Sequence, residues 1–187
     1  MAEEIWEDEN WPFELEARRL TSDEVEFLWE LMALELIKPR GPYHRAFWFH
    51  LMQTVMWEDW RRKNRPDDHP FTAAFVHDPD ATEEELGHAH STLLIGTIAA
   101  MDEEHWNEVT SSAIGLLSMV KAMRFAGKKR ISSAMVEYLD QVKELLFRRE
   151  EMLRDVLEEA GEENLRHIRQ YIESSFGEKG GNPIQDL

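Results

Sequence analysis

Apolar residues recur at helical spacing along most of the chain from residue 21 onward, and no alternating strand pattern runs for more than a few residues. This pattern predicts an all-α fold built as a bundle of about six helices. The predicted helices cover 22–38, 42–63, 82–101, 103–126, 133–160 and 162–176. They define one helical-bundle domain at 21–176, with an acidic aromatic arm at 1–20 and a flexible tail at 177–187.

Residues that favour helix ends support several of these boundaries. Thr21 and Glu24 form a capping box, in which each side chain bonds a backbone N–H left free by the first helical turn. Asp102 indicates a break and a new cap after the third helix. Gly127 and Gly161 are typical left-handed stops, because glycine adopts a positive φ without steric cost.

Two of the predicted helices have unusual apolar patterns. The helix at 42–63 is apolar almost all round, which is typical of a central helix or of one covered on its second side by a partner. The helix at 133–160 would be the longest, at about 40 Å. It carries apolar residues at heptad spacing, although Arg149 occupies one of those positions.

The helix at 103–126 mixes large apolar residues with small ones. Ser111, Ser112, Gly115 and Ser118 lie at spacings that let another helix approach closely.

The charge of the chain is strongly acidic and unevenly distributed. The net charge is −17, which disfavours nonspecific binding to nucleic acid or anionic lipid. Residues 1–37 carry twelve acidic and two basic side chains, whereas residues 66–120 carry eleven acidic and no basic ones. This layout is compatible with one acidic face, and equally with chance in an acidic chain. Basic clusters occur only at 61–65 and 128–130, at predicted helix ends, so direct nucleic-acid binding is not expected.

The rest of the sequence bears on where in the cell the protein is located. The chain has no cysteine, so it has neither a disulfide framework nor thiolate chemistry. Its first residues are acidic and lack the apolar core of a signal peptide. No apolar run approaches the roughly 20 residues that a membrane span needs. We therefore expect a cytoplasmic protein without a membrane segment.

One constellation is compatible with a metal site. Glu85 and His88 share a helix face in the E-x-x-H spacing, and Glu104 and Glu108 would stand beside them in a hairpin of the third and fourth helices. Thr82 offers a structural alternative, because Glu85 would complete its capping box. The sequence predicts no bound cofactor, with a divalent metal at these four residues as the alternative.

The same helix pair, "EEELGHAHSTLL" followed by "EEHWNEVTSSAIGLLSMV", resembles all-α nucleotide pyrophosphohydrolases of the MazG type over residues 82–123. That resemblance implies E-x-x-E on one helix and E-x-x-D on the next, holding magnesium against a triphosphate. His88 stands in place of the second glutamate, and Ser111 in place of the aspartate after Glu108. Magnesium prefers hard oxygen ligands, so these two departures weaken the implied site.

Together these features predict a non-enzymatic acidic helical subunit that binds protein. It would act in a larger assembly, associate with itself, or bind a basic partner, including as a nucleic-acid mimic. The candidate contact residues are the aromatic side chains of the arm and of the second helix: Trp6, Trp11, Phe13, Trp57 and Trp60. The alternative is a metal-dependent helical phosphohydrolase or a metal-carboxylate bundle.

Overall fold

A computed structural model describes residue 15 and residues 17–63, 83–127 and 130–178, without the side chains at 18, 57–63, 83–88 and 160. Every regular element in these ranges is helical, which confirms the all-α class. After a short 3-10 turn at Ala17–Arg19, the helices are α1 (Ser22–Leu36), α2 (Gly41–Lys63), α3 (Glu83–Ala100), α4 (Glu103–Phe125), α5 (Ser133–Phe147) and α6 (Arg149–Phe176).

Short polar side chains cap the starts of three helices. The Thr21 hydroxyl accepts a hydrogen bond from the backbone N–H of Glu24, whose carboxylate accepts one from the N–H of Thr21, so the predicted capping box is confirmed. Asp102 accepts from the backbone N–H of His105 at the start of α4. Ser132 accepts a hydrogen bond from the backbone N–H of Met135 at the start of α5. Each cap satisfies a donor that the first helical turn leaves free.

Helix α2 lies at the centre of the described bundle. It packs against α1, α3, α4 and α6, and every side chain from Ala46 to Val55 is buried. A helix with neighbours on all sides has no solvent face, which explains why its sequence is apolar almost all round. The sequence allows two explanations for this pattern: a central helix, or a helix covered on its second side by a partner. For the side chains that the structure describes, the helix is central.

The single long helix predicted over 133–160 is wrong, because the chain turns at Arg148 between α5 and α6. The two helices pack on different neighbours: α5 lies against α4, and α6 against α3 and α2. A straight continuation would not allow both sets of contacts. The sequence predicts that a helix ends at Gly161, whereas the structure has a kink inside α6 at this residue, which has φ 72° and ψ 166°.

Arginine side chains bond the free carbonyl groups at two helix ends. Arg149 donates to the carbonyl of Met101, and Arg169 Nε donates to the carbonyl of Ala100 at 3.2 Å, both at the end of α3. Arg45 donates to the carbonyl of Phe176 at the end of α6. A cation at the negative end of a helix is favourable, so these contacts fix α6 against α3 and α2.

Residues 1–14 and 179–187 lie outside the described residues, so the boundaries of the arm and tail stay predictions. Where the arm reaches the described chain, Ala17 and Leu20 are buried in the core. None of the described helices is both long enough and apolar enough to cross a membrane.

Candidate interaction surface

The aromatic residues predicted to bind a partner fall where no side chain is described. Trp6, Trp11 and Phe13 lie outside the described residues, whereas Trp57 and Trp60 lie in α2 but without described side chains. Their role in binding stays a prediction.

The four residues of the predicted metal site belong to two helix starts that are far apart. Glu85 is near the first residue of α3, whereas Glu104 and Glu108 follow its last residue. The helical rise separates Glu85 from Ala100 by about 22 Å along the axis. Glu104 is exposed and Glu108 half-buried on α4, and the side chains of Glu85 and His88 are not described. No group of three metal-ligating side chains occurs among the described residues.

Helices α3 and α4 do not form the side-by-side hairpin that the metal prediction assumed. Helix α3 packs mainly on α2 and α6, and α4 on α2 and α5. A pyrophosphohydrolase arrangement needs the carboxylates of two helices to face one cation. The described packing gives no support to that arrangement, and the metal site stays a prediction.

A buried polar cluster that the sequence did not reveal joins α1, α2 and α4 around His44. The indole N–H of Trp48 donates to His44 Nε2 at 3.1 Å, and Ser112 Oγ lies 3.3 Å from the same nitrogen. The carboxylate of Glu35 approaches that nitrogen to 3.6 Å. Arg40 donates to Ser112, which ties the loop before α2 to the middle of α4. A histidine on an apolar helix carries no sequence signal for such distant partners.

This cluster does not have the geometry of a catalytic triad. In a triad, the acid orients the imidazole through one nitrogen while the serine uses the other, but here Glu35 and Ser112 both approach Nε2 of His44. Burial lowers the pKa of His44 to about 4, although the nearby Glu35 carboxylate opposes that shift. A base this weak is poorly matched to proton transfer at neutral pH. We interpret the cluster as a junction that positions α4.

Further contacts hold the two ends of α4. At its start, Asp102 Oδ1 lies 2.7 Å from Nδ1 of His105, whose ring packs at a tilt of 35° against Tyr43 of α2, with centroids 4.3 Å apart. Toward its end, Lys121 donates to Asp140 of α5 at 2.5 Å. Together with the His44 cluster, these contacts determine which face of α4 is turned away from the bundle.

The two faces of α4 differ in burial but not in charge. The inward face consists of Val109, Ala113, Leu116, Leu117 and Val120, all buried. The opposite side, called here the α4 outward face, consists of six exposed or partly exposed residues: Ser111, Ile114, Gly115, Ser118, Ala122 and Phe125. No residue from 109 to 120 is charged. In a chain with a net charge of −17, this is an unusual composition for a solvent-facing helix.

Large apolar side chains on and beside this face are open to solvent. Phe125 is 97% exposed and Ile114 37%, and Met119, which borders the face, is 42% exposed. A Cβ added at Gly115 would meet no atom within 4 Å. Apolar side chains exposed along one uncharged helix face can mark an interaction site.

Charged groups lie at the two ends of α4 with opposite signs. Glu103, Glu104 and the half-buried Glu108 occupy its first two turns. Lys121 and Arg124 occupy its last two turns. The two ends of α4 therefore carry opposite charge, and at the basic end Lys121 is bonded to Asp140 of α5.

Exposed apolar side chains elsewhere are interrupted by charge. On α1, Trp29 and Leu34 are interleaved with the exposed Glu26 and Glu30. At the end of α5, the Phe147 ring lies under Lys143 Nζ, 5.5 Å from the ring centroid. Among the described residues, α4 alone offers a long uncharged apolar face.

Comparison of the chain with protein-family models, with curated proteins and with solved structures found no match.

Proposed function

We propose that the protein is a non-enzymatic interaction subunit that binds a helix of a partner on the α4 outward face. The observation that carries the proposal is the near-complete exposure of Phe125 at the end of a face that has no charged side chain from 109 to 120. A buried Phe side chain is worth roughly 1.5–3 kcal/mol relative to an exposed one, and folding of the described chain leaves this contribution unused. A docked helix would recover it.

The shape of the face favours a helix as the ligand. The centre of the face is formed by Gly115, Ser118 and Ala122, which are small, and larger side chains lie at its edges. Small residues at a contact allow two helix axes to approach toward the lower end of the usual range of about 8–10 Å. The proposal places the binding surface on α4, because the side chains of α2 from Ala46 to Val55 are buried in the bundle.

A site-specific crosslinking experiment tests this function. A photo-reactive amino acid is placed at Ser118 on the α4 outward face, and at Gln170, an exposed residue of α6, as the matched control. After irradiation in the native host, Ser118 should give a crosslinked product of defined mass that Gln170 does not give. Peptide mapping should place the crosslinked partner residue on an apolar helix face.

The second half of the experiment tests whether the contact depends on the face itself. Adding Phe125→Ser to the Ser118 variant should reduce the product about tenfold or more, as expected when an anchoring aromatic is removed. Equal crosslinking from Ser118 and Gln170, or a product unaffected by Phe125→Ser, would remove the basis of the proposal.

A further inference from the structure

We infer that the helix bound on the α4 outward face is α4 of a second copy of this chain, packed antiparallel. This inference rests on the proposed function and names its partner. It follows from the charge layout of α4, because a helix that is acidic at its start and basic at its end is complementary to its own reversed copy.

The antiparallel direction is the one that the charges favour. With a two-fold axis midway between Gly115 and Ser118, Glu108 of one copy would lie within one helical turn of Arg124 of the other, at both ends of the pair. A parallel pair would place like charges together at both ends. Antiparallel packing also aligns the two helix dipoles favourably. A foreign helix would need this same arrangement of charges, which a second copy supplies by symmetry.

The side chains of the face are also self-complementary. A two-fold axis between Gly115 and Ser118 places these two residues opposite each other across the interface. The same axis places Ser111 opposite Ala122, and Ile114 opposite Met119. Ser111, Gly115, Ser118 and Ala122 would therefore each face a small residue, and Ile114 would face Met119, whereas Phe125 would lie opposite Glu108 at the edge of the contact. The contact runs along α4, whose 23 residues span about 34 Å.

Self-association of the purified protein is the first test. Sedimentation equilibrium from about 1 μM to 1 mM, at roughly 0.15 M salt to screen the net charge, should detect a reversible dimer. Gly115→Leu should raise the dimer dissociation constant about tenfold or more by blocking close helix approach. It should leave the fold intact, because Gly115 faces open space. Gln170→Leu on α6 is the matched control and should change nothing.

The relative orientation of the two α4 helices is tested with one spin label per chain, attached to an introduced cysteine. Because the chain has no native cysteine, the label is attached at that one position. In the antiparallel pair, labels at Ser118→Cys lie about 4 Å apart along the helix axes, and labels at Asn107→Cys about 28 Å apart. In a parallel pair, neither position would be offset along the axis. Equal distances at the two positions would overturn the inference even if a dimer forms.

Charge reversal gives a third readout that separates local pairing from net charge. Glu104→Lys with Glu108→Lys lowers the net negative charge by four units, which by itself would favour association. The antiparallel pair predicts the opposite, a weaker dimer, and recovery when Arg124→Glu and Arg130→Glu are added. The control pair Glu158→Lys and Glu159→Lys on α6 should strengthen association or leave it unchanged.

These outcomes distinguish the inference from the proposed function. A protein that stays monomeric at 1 mM overturns the inference, and so does a dimer insensitive to Gly115→Leu. If crosslinking from Ser118 in the host then captures a helix of a different protein, the proposed function stands without self-pairing. A product joining Ser118 to the first 14 residues of the same chain overturns both.

Discussion

The carboxylate of Glu24 accepts a hydrogen bond of 2.8 Å from the backbone N–H of Ser132, across 108 residues of sequence. Glu24 already closes the capping box of α1 with Thr21, and Ser132 is the residue that caps α5. One buried carboxylate therefore joins the starts of two helices. Burial alone would raise the pKa of Glu24, but the hydrogen bonds from Ser132 and Thr21 outweigh it and lower the pKa below its ordinary value.

We predict that Glu24→Gln destabilises the fold by about 1–3 kcal/mol, because a neutral amide replaces a charged acceptor of two backbone N–H groups. Thr21→Ala should cost less, about 1 kcal/mol, since it removes only the hydroxyl of the α1 cap. Urea unfolding monitored by circular dichroism at pH 7 measures both. Equal costs for the two variants would show that the bond to Ser132 contributes nothing.

The direction of the pKa shift also predicts how the stability difference between wild type and Glu24→Gln changes with pH. The folded-state pKa of Glu24 is depressed, so its contribution to stability is present above the ordinary carboxyl pKa and is lost as the pH falls through the folded value. The difference in unfolding free energy between wild type and Glu24→Gln should therefore shrink below about pH 4.5. A difference that is constant from pH 7 to pH 3 would contradict this.

Two buried histidines should make the protein lose stability at a higher pH than its carboxylates do. Burial lowers the pKa of His44 and of His50 to about 4. Between about pH 6.5 and 4 the unfolded state binds protons that the folded state does not, so each histidine lowers stability by up to roughly 1.4 kcal/mol per pH unit. The charged groups that act on His44 are Glu35, which raises its pKa, and Arg40, Lys38 and Arg45, which lower it.

The matched variant for this effect is His44→Gln, whose side-chain oxygen can accept the Trp48 indole N–H in place of Nε2. It should flatten the fall of unfolding free energy between pH 6.5 and 4.5 without changing the fall below pH 4. Urea unfolding at half-unit pH steps provides the comparison. A parallel pH profile in wild type and variant would mean that His44 titrates normally in the folded state.

Glycine substitutions should have opposite effects at two positions in helices. Gly161 has φ 72° and ψ 166°, a conformation almost restricted to glycine, so Gly161→Ala should cost about 1–3 kcal/mol. Gly115 has ordinary helical geometry and open space around it, so Gly115→Ala should stabilise the monomer by about 0.5–1 kcal/mol through helix propensity. Thermal unfolding at low protein concentration measures both. A stabilising Gly161→Ala would show that the kink at Gly161 is absent in solution.

Local sequence signals were sufficient to predict most helix boundaries. The capping box at Thr21, the cap at Asp102 and the glycines at 127 and 161 act within a few residues, so their effect can be predicted without knowing the fold. The turn at Arg148 has no such signal, since neither glycine nor proline occurs there and the heptad spacing, interrupted only at Arg149, resumes at Leu153. Long-range packing decides it: the next residue, Arg149, bonds the Met101 carbonyl at the end of α3.

A substitution at Arg149 tests whether its packing contacts or the heptad pattern has the larger effect on stability. Its guanidinium also lies over the Trp106 ring, 5.0 Å from the centroid. A heptad interpretation of 133–160 predicts that Arg149→Leu restores the apolar pattern and stabilises the protein. We predict a loss of about 1–3 kcal/mol, because the variant leaves the Met101 carbonyl without this donor. Denaturant unfolding decides between the two signs, with Arg148→Leu, an exposed neighbour, as the control.

The proposed interaction surface is less predictable from sequence than the fold. The spacing of the small residues of α4 predicts a close helix contact, but the apolar pattern of the second helix and its tryptophans is the stronger sequence signal for a partner surface. Which of two uncharged faces of a helix is buried depends on its neighbours. Here the Ser112 contact to His44 and the Lys121 contact to Asp140 determine that Ile114 and Phe125 point outward. None of these pairings is encoded by local spacing.

Phe125 should contribute to stability only when the protein associates. Because its side chain is 97% exposed, Phe125→Ser should leave the melting temperature of the dilute protein unchanged. Phe176 is 2% exposed, and Phe176→Ala should cost about 3–5 kcal/mol at any concentration.

A dimer stabilises the folded state by mass action, so the melting temperature of the wild type should rise with protein concentration. That rise should disappear in Phe125→Ser, and scanning calorimetry at two concentrations a hundredfold apart measures both effects. If the dilute Phe125→Ser variant melts earlier than the wild type, Phe125 is buried against its own chain, and the α4 outward face is not free to bind a partner.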